Sequence, residues 1–208
     1  MTPPDAWMPR AWQTQSLLLA YPDDHFRQHR LPLARRAAAT LPDRAGAPLL
    51  AFAEHLDGRT QEDTAAEYVA TFDHRKRCCL FLTYYAHGDT RKRGLALLRL
   101  KRTYAAAGWH LTDEELPDHL AVVLEFAAAV GTRDGSRLLR DHRAGIELLR
   151  LALRETGSPW SHVLDSVRAT LPRLTGGEHT AVARLAAEGP PEEQVGLAPF
   201  APDPARGL

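Results

Sequence analysis

Within "EELPDHLAVVLEF", three carboxylates and one imidazole, Glu114, Glu115, Asp118 and His119, crowd around Pro117 directly ahead of an almost wholly apolar run. Acids and a histidine in such proximity are the residue types of a metal centre or a general acid–base pair. Both need partners. Metal ligation requires several donors converging at short distance, and the sequence has no HExxH, no HxH with a distant acid and no paired ExxH pattern. Helix capping accounts for the same residues without chemistry. Thr112 and Glu115 have capping-box spacing, and Asp118 beside Pro117 suits a helix start, where a carboxylate accepts orphan amide hydrogens and complements the dipole. A ligand-facing role for Glu115 and Asp118 stays open beside that reading.

Other candidate chemistry is thinner. The two cysteines, Cys78 and Cys79, are adjacent, so they cannot staple distant parts of the fold or supply CxxC spacing. Arg75, Lys76 and Arg77 stand close enough in sequence to favour a thiolate there. No GxSxG elbow, P-loop or dinucleotide fingerprint occurs, and the expectation is that the protein is not an enzyme. The run "RKRGLALLRLKR" can contact phosphates, but it lacks interleaved aromatics and reads better as a solvated face. Across the 208 residues, 26 Lys and Arg balance 26 Asp and Glu, so no net field gathers polyanions, and nucleic acid is not expected as a partner. The N-terminus lacks a signal-peptide core, and no apolar run approaches the ~20 residues of a membrane span. A cytoplasmic protein without stable membrane association is expected.

The elements that must position these residues are helices. Helical periodicity dominates and β-branched alternation is almost absent. Helices are expected over about Ala11 to Ala20, over Asp24 to Thr40 with an interruption at Pro32, and over "PLLAFAEHL". Thr60 caps "TQEDTAAEYVATF", which places Tyr68 and Phe72 on one face. "CCLFLTYYAHG" reads as a buried helix. Asp89 or Thr90 starts the next, with Leu97, Leu100, Tyr104 and Ala107 as its stripe. Leu120 to Val130 carries a single charge, Glu125, and should sit at the bundle centre. One long helix is expected from Ser136 to Gly157, with His142 as a core histidine, and another from Ser158 as N-cap with Pro159 first in the helix. One compact all-α bundle over residues 1–174 is therefore expected. A Gly/Pro-rich C-terminal tail, 175–208, follows as a peripheral segment with one short helix, about Thr180 to Glu188.

"EYVATFDHRKRCCLFLTYYAHGDTRKRGLALLRLKRTYAAAG", followed by "ELPDHLAVVLEFAA", closely resembles the nitrate reductase molybdenum cofactor assembly chaperones, the NarJ/NarW family, within the wider TorD/DmsD group of redox-enzyme maturation chaperones. The resemblance implies an all-helical chaperone of the TorD/NarJ type. It implies as partner the apo catalytic α subunit of respiratory nitrate reductase, engaged through its N-terminal segment, alone or in the αβ complex. It implies help in inserting a bis-molybdopterin guanine dinucleotide cofactor that the chaperone does not itself hold stably. A chaperone for another molybdoenzyme, such as an S- or N-oxide reductase, is the alternative, although those relatives are expected to lack "LTYYAHGDTRKRG".

Carried over residue by residue, the resemblance assigns client binding to Glu115, Pro117, Asp118 and His119 of "ELPDH", to the aromatic pair Tyr68 and Phe72, and to Arg91 with Gly94 of "GDTRKRG". An amphipathic client helix would lie against Tyr68, Phe72, Leu80 and Tyr84. Asp118 would pair with a basic client residue, and His119 would make binding pH-sensitive.

Overall fold

In the computed structural model, which describes residues 5–112 and 115–189, eleven α-helices and no strand occur among the described residues. Glu114 and the tail beyond Gly189 lie outside them. Two helix pairs form the core. α1 (Met8–Leu19) packs along α7 (Leu120–Val130), and α3 (Asp43–His55) packs along α10 (Trp160–Ala169). α7 behaves as its composition demands: Leu120, Val123, Leu124 and Ala127 are fully buried and its one charge, Glu125, faces out. Burial of each such aliphatic side chain contributes roughly 1.5–3 kcal/mol.

Polar groups tie the two pairs together. Trp12 Nε1 donates to Thr170 Oγ1 at 2.9 Å, Gln15 Nε2 donates to Ser166 Oγ at 2.9 Å, and Ser166 Oγ donates to the Ala45 carbonyl at 2.7 Å. α1, α10 and α3 are thus linked through buried hydrogen bonds, while Gln15 Oε1 is left without a partner.

Proline sets several boundaries. Pro32 lacks an N–H and crowds the carbonyl four residues earlier, and the chain answers with a π-helical stretch, Phe26–Arg30, before α2 (Leu31–Ala38). α3 begins at Asp43 and carries Pro48 inside it, whereas the sequence suggested a start at Pro48. α4 (Gln61–Phe72) starts as expected, with Thr60 Oγ1 accepting from the Asp63 amide at 3.1 Å. "CCLFLTYYAHG" is helical only in part. A 3-10 turn, Lys76–Cys78, gives way to extended chain, and α5 covers just Leu82–His87 before α6 (Arg91–Ala106).

The long helix expected from Ser136 is two helices, α8 (Thr132–Asp141) and α9 (Arg143–Glu155), broken at His142, whose φ of −105° and ψ of 12° leave the helical basin. Gly131, at φ 84°, turns the chain between α7 and α8. Close packing returns α8 onto α7: a Cβ on Gly135 would stand 2.5 Å from the Ala127 carbonyl oxygen and 2.7 Å from Trp12. At the start of α10 the Ser158 hydroxyl makes no hydrogen bond, and its carbonyl accepts from Ser161 at 3.0 Å instead. The last described helix, α11 (Gly176–Glu188), starts earlier than expected. Thr175 and Glu178 form a capping box, and the helix packs on α9.

Candidate functional site

The residues around Pro117 meet an extended segment rather than a metal. Phe81 and His119 form an isolated antiparallel bridge, in which Leu82 N–H donates to the Asp118 carbonyl and Leu120 N–H donates to the Leu80 carbonyl, both at 2.9 Å. This bridge fastens the chain before α5 to the chain before α7. Asp118 completes it from below. Its side chain is fully buried, and Oδ2 accepts from the Thr83 amide at 3.2 Å and the Thr83 hydroxyl at 2.5 Å. Arg93 Nη2 lies 3.8 Å from the same oxygen. Tyr104 adds a further tie, donating its hydroxyl to the buried Pro117 carbonyl at 2.6 Å.

Asp118 is therefore a clamp and does not stand at an exposed edge where a client's basic residue would meet it. The helix cap falls to its neighbour: His119 Nδ1 accepts from the Ala121 amide at 3.3 Å. Thr112 and Glu115 touch through the backbone, at 3.4 Å, and no helix begins there. Among the described residues no group of three His, Cys, Asp or Glu side chains is placed to hold a metal ion. Burial raises the pKa of both Cys78 and Cys79 against the pull of nearby arginines, so the basic neighbours do not make reactive thiolates.

Above the clamp lies a groove of about 460 Å³ between α1, α4, the bridge and α7. Leu17, Tyr21, Tyr68, Phe81 and Leu116 supply its apolar wall, and Arg30, Glu115 and Glu125 its charges. Tyr68 forms the floor. It is buried, donates its hydroxyl to the Leu19 carbonyl at 3.1 Å and meets Tyr21 edge-on at 5.5 Å between ring centres. Tyr68 and Phe72 pack on Trp160 at 5.6 and 5.4 Å, and Phe52 packs on the same indole at 5.4 Å. Tyr21 and Leu116 remain 49% and 43% exposed, so two large apolar side chains flank the opening. Burial first, and then the Glu115 carboxylate, raise the Glu125 pKa.

Of the residues singled out from sequence, Tyr68, Glu115 and His119 line this groove. Phe72, Leu80, Pro117 and Asp118 are buried and support it from beneath. Tyr84 faces a separate apolar hollow between α5, α9 and α11. Arg91 and Gly94 are exposed on α6, and Arg93 is the arginine that reaches Asp118 and lies over the Phe81 ring at 5.7 Å. Sequence reasoning missed Leu17, Tyr21, Phe81, Leu116 and Glu125. The signal for two of them was available as apolar side chains next to the turn-forming Pro22 and Pro117.

Burial holds the pKa of His119 below its ordinary value, outweighing the opposing effect of Asp118, and burial does the same to His142. The unfolded chain takes up these protons near pH 6.5, while the folded chain resists them until lower pH. More protons are then bound by the unfolded state, so stability should fall as pH drops from about 6.5 toward the depressed folded values. Urea midpoints between pH 8 and 5.5 should show this slope, and His119→Gln combined with His142→Gln should flatten it. An unchanged slope in the double variant would assign the effect to other groups.

With this geometry in place, comparison with known proteins gives the chain a lineage. It matches the family described as "Nitrate reductase delta subunit" over residues 38–165, more than half of its length. It is 37% identical over 164 residues to the "Nitrate reductase-like protein NarX" of Mycobacterium tuberculosis, a match covering 79% of this chain and 24% of that protein. It is 32% identical over 160 residues to the "Probable nitrate reductase molybdenum cofactor assembly chaperone NarJ" of Bacillus subtilis, covering 76% and 86%. The Escherichia coli "Nitrate reductase molybdenum cofactor assembly chaperone NarJ" is 32% identical over 152 residues, covering 72% and 64%. The chain thus spans about a quarter of the mycobacterial relative and most of the Bacillus one. On these matches the chain belongs to the nitrate reductase delta subunit family, in keeping with the likeness of its central block to the NarJ/NarW chaperones.

Proposed function

We propose that this protein is a cytoplasmic, non-catalytic chaperone that binds the N-terminal segment of the nitrate reductase α subunit, before membrane assembly, and assists insertion of the molybdenum guanine-dinucleotide cofactor. The observation that carries the reading is the groove flanked by Tyr21 and Leu116, in a chain whose relatives are named as assembly chaperones for this enzyme. No helix among the described residues is long and apolar enough to cross a membrane, which suits a protein that meets its client before the membrane does.

An amphipathic client helix would set its apolar face on Leu17, Tyr21, Phe81 and Leu116, the helix-in-groove mode. A cavity of about 460 Å³ accommodates a few anchoring side chains, not a whole helix. Glu115 and Glu125, at the same opening, would receive a basic client residue in the role that buried Asp118 cannot take. Buried support and exposed contact are thereby divided between different residues.

Calorimetry with the first few dozen residues of the α subunit tests the groove. Tyr21→Ala combined with Leu116→Ala should weaken binding at least tenfold, since both side chains are partly exposed and their loss leaves the core intact. Arg91→Ala should change nothing. The reverse pattern would move the client site to the basic face of α6. Co-purification with full-length and N-terminally truncated α subunit, followed by a molybdenum assay, tests the client assignment itself; equal recovery of the truncated client would reject it.

A further inference from the structure

α6 carries six Lys or Arg and no acid in 16 residues. The whole chain has 26 residues of each sign, so this helix is a local excess that is balanced elsewhere. Only Leu100 and Tyr104 of α6 are buried, and Tyr104 anchors the helix by donating its hydroxyl to the Pro117 carbonyl and packing on Phe126 at 4.3 Å. Arg93 turns inward as well, to Asp89 and Asp118. The other five cations, Arg91, Lys92, Arg99, Lys101 and Arg102, are exposed, and among the described residues none has a carboxylate within 4.0 Å.

The outward side of this helix is not wholly polar. Leu95 is 60% exposed and Leu98 44%, and among the described residues no large apolar side chain is more exposed than Leu95. At roughly 100° per residue, the direction opposite Leu100 and Tyr104 is that of Arg102, with Arg91 and Leu95 about 20° from it and Leu98 about 40°. Arg99 and Lys92 flank this strip on one side at about 60–80°, and Lys101 on the other at about 100°. A ridge of two leucines therefore stands out from the surface, with cations at both ends and along both flanks. Neither leucine lines the client groove or the hollow between α5, α9 and α11.

A protruding leucine gains from a surface that yields around it. A protein partner must offer a matching pocket for each one, whereas a lipid interface accepts an apolar side chain anywhere between headgroups. Long Lys and Arg stems lie along such an interface and keep their charges among anionic phosphates. We propose that the outward face of α6 docks on an anionic lipid surface, with Leu95 and Leu98 inserted below the headgroups and Arg91, Lys92, Arg99, Lys101 and Arg102 among their phosphates. With six charges in 16 residues, α6 lies in the plane of the interface and does not span it. Two leucines are a shallow anchor, so the contact is reversible and depends on charge. The inference does not rest on the client groove, and either can fail without the other.

Flotation of the full chain with vesicles at low salt tests it, using phosphatidylcholine alone and phosphatidylcholine containing one-third phosphatidylglycerol. The protein should float with the anionic vesicles and not with the neutral ones, and the bound fraction should collapse in about 0.5 M salt. Leu95→Gln with Leu98→Gln, both exposed, should keep the melting temperature and weaken binding by roughly tenfold or more. Arg99→Gln with Arg102→Gln should weaken it as much through charge. Arg133→Gln with Arg173→Gln removes the same charge from exposed positions outside α6 and should stay within about twofold of the parent. Unchanged vesicle binding by the leucine variant would show that charge alone acts, as it would toward an acidic protein surface, and would overturn lipid docking. No flotation with anionic vesicles, equal binding to neutral ones, or an equal loss in the Arg133 and Arg173 control would overturn it too.

Discussion

Asp118→Ala is expected to destabilise the fold by roughly 3–5 kcal/mol, because it strands two buried donors at about 1–3 kcal/mol each. Two donors lose their acceptor at once, the Thr83 amide and the Thr83 hydroxyl, and the Arg93 guanidinium loses a carboxylate 3.8 Å away. Arg93 is partly exposed and can turn to Asp89, which already pairs with it at 3.0 Å, so the Thr83 donors carry most of the loss. At about 2–4 °C per kcal/mol for a chain of this size, the melting midpoint should fall by roughly 6–20 °C. Thr83→Val removes one donor and keeps the carboxylate, and should cost about 1–2 kcal/mol. The two changes together should cost less than their sum, because they remove the same contact. A melting midpoint unmoved by Asp118→Ala would sink the clamp and return Asp118 to the list of client contacts.

The burial of Asp118 shows what one-dimensional reading could reach. That α7 is central follows from eleven positions with one charge, and the Thr60 cap follows from a three-residue spacing; both are local patterns, and both hold. Asp118 carries a local pattern too, an acid beside a proline at a helix start, but its partner Thr83 lies 35 residues away across a bridge that leaves no periodic trace. Which arginine of α6 reaches Asp118 is hidden for a related reason. Positions two apart on a helix point about 200° away from each other, so only knowledge of which side of α6 meets the body selects Arg93. His142 continues the apolar stripe of its neighbours perfectly well in sequence, and the break there comes from docking α8 on α7 through Gly135 while α9 lies against α5. The groove itself needed tertiary knowledge, because its walls come from five separated segments.

Trp160→Ala should rank with Asp118→Ala, at about 3–5 kcal/mol, since it empties the space among Phe52, Tyr68 and Phe72 and removes the support of the groove floor. Trp160→Phe is the sharper test. Trp160 is 1% exposed and its Nε1–H has no hydrogen-bond partner, so the native fold already carries the cost of an unmet buried donor, about 1–3 kcal/mol. Phenylalanine loses part of the ring but also removes that donor, and the two effects oppose. Trp12 is equally buried, yet its Nε1–H is bonded to Thr170 Oγ1 at 2.9 Å, so Trp12→Phe loses volume and a hydrogen bond together. Equilibrium unfolding should therefore find Trp12→Phe more destabilising than Trp160→Phe by about 1–2 kcal/mol, although the chemical change is identical. Because Tyr68 packs on Trp160 directly, the Trp160→Phe protein should also bind the client peptide more weakly than the Trp12→Phe protein when both are compared well below their melting temperatures. Equal peptide affinities in the two variants would separate the aromatic cluster from the groove above it.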